Sequence, residues 1–198
     1  MKDYNDFFYQ GKIQKNLKKN FLTVGWGSQK TQNTRFENIY KYFQKDNFSV
    51  LDVGCGLGDF YYFLKKKKIK FKYTGIDINE DFIYKCKKKY KNVNFIKSHF
   101  LKYKITNKPD YIIISGALNL PMDDYANQFR KTIYKMYKYS KNKCIFNLLS
   151  GSSKRIYQYN AYANISKISK YVESISKLYL IDKSYLPHDL SFVLIKKK

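Results

Sequence analysis

The chain is poor in the residues that build dedicated metal or disulfide sites. Its 198 residues include three cysteines, two histidines, three prolines and one tryptophan. Cys55, Cys86 and Cys144 stand far apart and form no C-x-x-C pair, and only His99 and His188 are available to complete a zinc set. This excludes a zinc ribbon and a disulfide framework, and it predicts reduced thiols, no metal and a cytoplasmic location. The opening MKDYNDFFYQGK has no apolar core followed by a small-residue cleavage site, so no signal peptide is expected. Long hydrophobic runs are missing too. The longest, Tyr111 to Met122, is too short to cross a bilayer.

Acidic residues are scarce: 15 against 39 basic ones, for a formal charge of +24. Arginine is scarcer still, with only Arg35, Arg130 and Arg155. A dedicated nucleic-acid binder usually uses arginine for its bidentate contacts. Lysine, asparagine, isoleucine, tyrosine and phenylalanine are all abundant here, and all have A/T-rich codons, so compositional drift accounts for the charge without a polyanion partner. The expected partner is therefore a small molecule, one that can carry phosphate, rather than a membrane or a nucleic acid. A monomer or homodimer is expected.

What the chain does have is enough apolar material, 44%, to bury a core, and a length that suggests one domain. Periodicity predicts helix over 31–43, with Phe36, Ile39, Tyr40 and Phe43 on one face, then strands at 49–53, 72–78, 93–97, 110–115 and 143–148. Helices are predicted between them at 59–68, 79–90 and 123–139, with Asn79 a plausible N-cap. A helix over 165–179 and a strand pair at 179–183 and 191–196 follow. Strands alternating with helices imply an α/β, Rossmann-like fold. The expected sheet is seven-stranded and mostly parallel, with an antiparallel last strand. Residues 1–48 would form an N-terminal helical lid on a core of 49–198. Ligands in such sheets collect beyond the carboxyl ends of the strands.

The run VLDVGCGLGDF, Val50 to Phe60, places Gly54, Gly56 and Gly58 between the first strand and a helix. Glycines there permit a tight turn and close approach of a ligand to backbone. Dinucleotide enzymes want G-x-G-x-x-G, with pyrophosphate at the helix N-terminus. Here the last of those positions is Asp59, an anion where an anion should bind. Asp52 flanks the loop on the other side, and the surroundings suit a cationic ligand.

VLDVGCGLG and the following YTGIDI, Tyr73 to Ile78, resemble the first two motifs of class I S-adenosylmethionine (SAM) dependent methyltransferases. The resemblance implies SAM as cofactor and S-adenosylhomocysteine (SAH) as product. Asp52, Gly54 and Gly56 would surround the methionine part, Asp77 the ribose hydroxyls, and Ile78 and Phe100 the adenine, with Gly58 also in the cofactor group. His99 replaces the acid that the family often keeps near the adenine amino group. Gly116, in SGALNLPM, joins the cofactor group, and Asn119 is free for the acceptor or SAM. In TVGWGSQKTQNTRF, Trp26 and Gln32 are candidates for the acceptor pocket, and Gln32 or Arg35 for the SAM carboxylate.

SYLPHDLSF brings His188 to the same sheet edge if the last strand runs antiparallel to the fifth, and histidine suits proton removal near neutral pH. The alternative is a plain hairpin turn. FNLLSGSSKRIYQYNAY offers Asn147, Arg155 and Tyr159 for substrate, with Lys154 beside them, and Tyr157 for catalysis. The full set of motifs is similar to small bacterial methyltransferases of surface-polysaccharide clusters and to phosphoethanolamine N-methyltransferases. That similarity implies N-methylation of a phosphorylated amine such as ethanolamine phosphate. O-methylation of a sugar or sugar nucleotide, an RNA-directed enzyme and a non-catalytic SAM-binding subunit are the alternatives.

Overall fold

The computed structural model describes residues 20–44, 46–151, 156–158 and 160–197. A short helix α1 (Asn20–Thr23) and the longer α2 (Gln29–Tyr40) precede the sheet. Then come β1 (Phe48–Val53), α3 (Asp59–Lys66), β2 (Phe71–Asp77), α4 (Glu80–Lys89), β3 (Asn94–Lys97) and β4 (Tyr111–Ile114). A 3-10 turn (Ala117–Asn119), α5 (Tyr125–Tyr139) and β5 (Lys143–Ser150) follow. The chain closes with β6 (Tyr162–Ala163), α6 (Ile165–Ile175), β7 (Tyr179–Asp182) and β8 (Asp189–Ile195).

The strand order is β3-β2-β1-β4-β5-β8-β7, with β6 paired to β5 off this path. β1 to β5 are parallel, and β8 runs antiparallel to both of its neighbours. This is the Rossmann-like α/β architecture that the alternating pattern predicts. The two-residue β6 is an addition, too short to leave a periodic signal. α6 ends at Ile175 rather than 179, where the backbone turns extended at Ser176.

Alternate strand residues feed two cores, as the period of two requires. Leu51, Val53, Ile112 and Ile114 pack with Phe129, Ile133 and Met136 of α5 and Val172 of α6. Val50 and Ile113 pack with Phe36 and Ile39 of α2, Phe60 and Leu64 of α3, and Ile83 of α4. Much of the aromatic content is spent here; Phe43, for example, stacks on Tyr111 at 4.1 Å.

α1 and α2 are the described helices of the expected lid. Ser28 caps α2 by accepting the Thr31 N–H. Its far end is tied to the β7 end through Asp182, whose Oδ2 accepts from Asn38 Nδ2 (2.6 Å), Tyr42 OH (2.7 Å) and Lys41 Nζ. Ser184 donates twice to Oδ1. Burial pushes the Asp182 carboxyl up, but the donors of Lys41, Ser184 and Tyr42 outweigh it and hold the group well below the usual carboxylate range. A lowered folded value means that the unfolded chain takes up the proton first as pH falls. Asp182 therefore stabilises the fold above about pH 4, and that contribution disappears in stronger acid. Thermal melts of Asp182→Asn should lie below wild type at pH 7, and the gap should hold down to about pH 4 and narrow only in stronger acid.

Candidate active site

Strand register builds the site. Val53 pairs with Ile76 on one side and Ile114 on the other, so the carboxyl ends of β1, β2 and β4 are level. The chain leaves β1 for β2 in one direction and reaches β4 in the other, and ligands bind at such a reversal. A cavity of about 1720 Å³ opens there. Its wall includes the glycine loop, the loops after β2, β3 and β4, the Trp26 to Phe36 segment, and Pro187 and His188.

The glycine loop is fastened from below. Gly54 and Cys55 N–H groups both donate to Ile76 O, at 2.8 and 3.1 Å. Gly54 has φ +73°, and a Cβ there would lie 2.5 Å from Ala117 Cβ. The Gly56 N–H donates to Asp77 Oδ2 at 2.8 Å, and the Asn79 N–H to Oδ1 at 2.9 Å. Cys86 Sγ reaches Gly56 O at 3.3 Å. Asp77 thus holds the loop in shape while lining the cavity, with lone pairs left for hydroxyl donors. Burial raises its pKa, against the N–H groups of Asn79, Gly56 and Ile78.

Asp52 lines the same end, is 3% exposed and accepts the Tyr73 hydroxyl at 2.6 Å. Burial pushes its carboxyl up to about 7; the Tyr73 hydrogen bond pulls down, and Asp77 and Asp59 add to the rise. Asp59 opens α3 and receives Asn20 Nδ2 and Gln32 Nε2, at 3.1 and 3.0 Å. A second anion would be repelled from this helix start, so the loop is no pyrophosphate cradle.

The structure brings Trp26, Gln32, Arg35, Asp52, Gly54, Gly56, Asp77, Ile78, His99, Phe100, Gly116, Asn119, Tyr157 and His188 to one cavity. Two of the expected residues lie elsewhere. Asn147 is fully buried and outside the wall; its Oδ1 accepts the Gly116 N–H and its Nδ2 donates to Ser115 Oγ, so it props the β4 loop from behind. Gly58 caps α3 and packs under Tyr90 and Phe95 instead of facing the cavity. Gln32 is in the wall, but its amide also accepts from Gln29, so both ends serve contacts within the protein. Arg35 Nε pairs with Asp189. Arg155 and Tyr159, with Lys154, lie outside the described residues.

Asn119 Oδ1 accepts the Leu149 N–H at 3.0 Å. His99 Nδ1 accepts the Leu101 N–H at 3.3 Å. His188 O accepts from Ser150 N, which places the residue beside the end of β5.

Sequence reasoning missed Gln128 and Thr132, both in the wall. Their spacing on α5, beside the buried stripe of Phe129 and Ile133, was the available signal. It also missed Lys135, whose ammonium donates to Phe100 O, Leu101 O and Tyr103 O at 2.8, 2.9 and 2.6 Å and so fixes the loop carrying Phe100. Among the described residues no cluster of three or more metal-binding side chains occurs, and no helix is long and apolar enough to cross a membrane.

Comparisons with known proteins agree with this geometry. A family model described as a methyltransferase domain matches residues 44–186. A Mycobacterium tuberculosis protein named as a methyltransferase, Rv1506c, is 25% identical over 128 residues, covering 63% of this chain and 69% of the relative. Carboxy-S-adenosyl-L-methionine synthase of Nautilia profundicola is 31% identical over 119 residues, covering 55% of this chain but only 47% of its own length. Magnesium protoporphyrin IX methyltransferase from Synechocystis PCC 6803, solved with bound SAH, superposes with a TM-score of 0.68 at 14% identity, covering 98% of this chain and 95% of that one. A SAM-dependent methyltransferase from Archaeoglobus fulgidus gives the same score at 18% identity, covering 98% and 100%. The chain belongs to the methyltransferase-domain family, whose members are enzymes that use S-adenosylmethionine.

Proposed function

We propose that this methyltransferase acts on the nitrogen of a small polar amine. The observation that carries the reading is the charge of the wall. Among the described residues Asp52, Asp59, Asp77 and Asp123 line it, the one arginine is ion-paired, and no lysine faces it, in a chain of net charge +24. Such a wall favours cationic or neutral ligands over phosphate-rich ones. A pocket for one small ligand spans roughly 300–1,000 Å³, so the larger volume here supports two ligands side by side. Ethanolamine phosphate, a precursor suited to surface polysaccharide, is the phosphorylated member of this class. Its phosphate would need Lys154 or Arg155, outside the described residues.

The residues fit SAM. Asp77 would take the ribose hydroxyls, Ile78 and Phe100 the adenine, and Asp52 with the loop at Gly54 and Gly56 the methionine part. The cofactor supplies a methyl already activated by a sulfonium, so the protein has only to align the acceptor, free its lone pair and exclude water. An alkylammonium must lose its proton before it can react. His188, in the wall beside the β5 end, is the group we assign to remove it, with Asn119 and Tyr157 orienting the amine.

Calorimetry should find SAM and SAH bound and NADH ignored. Radiolabelled methyl should pass to amines in a panel that also holds ethanolamine phosphate, sugar nucleotides and total RNA. Transfer to RNA alone, with affinity falling steeply as salt rises, would overturn the acceptor reading.

Asp52 adds a pH signature. In the folded state it holds its proton up to about pH 7, whereas the unfolded chain releases it near 4. Stability of the ligand-free protein should therefore decline across that window. A cationic cofactor prefers the ionised carboxylate, so SAM affinity should rise between pH 6 and 8, by about threefold to tenfold. Asp52→Asn should flatten that rise.

A further inference from the structure

Arg35 carries this inference, which rests on the methyltransferase reading of the cavity. The residue is 5% exposed, and its Nε pairs with Asp189, whose side chain is fully buried. The guanidinium carbon lies 4.5 Å from the centroid of Trp26, the chain's one tryptophan. The indole also rests against Gly116: a Cβ added there would stand 2.9 Å from Trp26 Cζ2. Gly116 has φ +88°, and its N–H is fixed by Asn147 Oδ1 at 2.9 Å.

These contacts close a ring. It starts on β5 at Ser150, whose N–H holds His188 O, passes to the adjoining Asp189, crosses to Arg35 and Trp26, and returns through Gly116 to Asn147 of β5. Trp26, Gly116 and His188 all line the cavity. We propose that Arg35 is a positioning residue: it clamps Trp26 over Gly116 and ties the lid to the strand end that presents His188. The Arg35–Asp189 pair thereby sets the acceptor side of the cavity, and the guanidinium does not serve the SAM carboxylate. Arginine is needed because it offers a planar face to the indole and an edge to the carboxylate together, which lysine cannot do.

The single tryptophan gives a direct readout that needs no activity. Arg35→Met should red-shift Trp26 emission and raise its quenching by acrylamide in the ligand-free protein, with the far-ultraviolet circular dichroism unchanged. SAM affinity should stay within about threefold of wild type, while acceptor turnover should fall about tenfold or more. Arg35→Met leaves Asp189 buried and unpaired, so the Arg35→Met/Asp189→Asn double variant is run beside it and should show the same emission change. Arg35→Lys should be intermediate.

Should the single variant not fold, the double variant and Gly116→Ala, whose methyl pushes directly on the indole, read the placement of Trp26. An unchanged emission and quenching profile in the folded variants overturns the proposal. So does a loss of SAM affinity matching the loss of turnover, which would return Arg35 to the cofactor carboxylate. Failure of the wild type to bind SAM would refute the reading of the site instead, and the emission data would still decide whether Arg35 holds Trp26.

Discussion

Replacing Asp77 by alanine is expected to weaken SAM binding by about 100-fold or more, the largest effect of any side-chain truncation in the cavity. Two losses combine. A carboxylate that accepts hydroxyl donors contributes about 1.5–3 kcal/mol per charge-assisted hydrogen bond, and ribose presents two such donors. The same carboxylate also accepts the Gly56 and Asn79 N–H groups, so its removal loosens the glycine loop that it shapes. Asp77→Asn keeps the size and one acceptor oxygen and should fall between. Calorimetry with SAM and SAH separates this role from that of Asp52. Both compounds carry the ribose, so Asp77→Ala should penalise them equally. Only SAM carries the sulfonium, so Asp52→Asn should penalise SAM more. Retention of wild-type affinity by Asp77→Ala would remove this residue from the cofactor site.

The core of the site was legible in sequence because backbone demands wrote it. A turn that must pass under Ala117 at Gly54 tolerates only glycine, and a strand end that must fasten Gly56 selects an acid at position 77. Such constraints leave fixed spacings, as do the alternating apolar strands. The acceptor side was harder to read because its residues are set by distant partners. Gln32 lines the cavity, yet its amide is also held by Asp59 from 27 positions away. Asn147 looked like substrate contact on a strand end, yet it faces the β4 loop. Nothing local pairs Arg35 with Asp189 across the sheet edge. Lys135 was invisible among so many lysines, although its three carbonyl contacts single it out at once.

Gly54→Ala is the second large effect, and it separates two causes that a lone variant would merge. The new methyl would sit at φ +73° and 2.5 Å from Ala117 Cβ. The backbone conformation alone disfavours alanine by roughly 1–2 kcal/mol, and overpacking adds about 1–3 kcal/mol. Together these should lower the melting temperature by on the order of 10 °C in a chain of this size. Where the loop lifts away from the turn at Ala117 to relieve this, it breaks the paired Gly54 and Cys55 hydrogen bonds to Ile76 O and moves the proposed cradle of the cofactor. SAM binding should therefore fall below detection.

Ala117→Gly removes the atom that the new methyl strikes but leaves the strained φ untouched. In the Gly54→Ala/Ala117→Gly double variant, stability should recover by about half, and measurable SAM affinity should return with it. If the double variant melts no higher than Gly54→Ala, backbone strain rather than the contact with Ala117 dictates glycine here. If Gly54→Ala alone binds SAM as wild type does, the close approach of loop and cofactor on which the whole site depends is refuted.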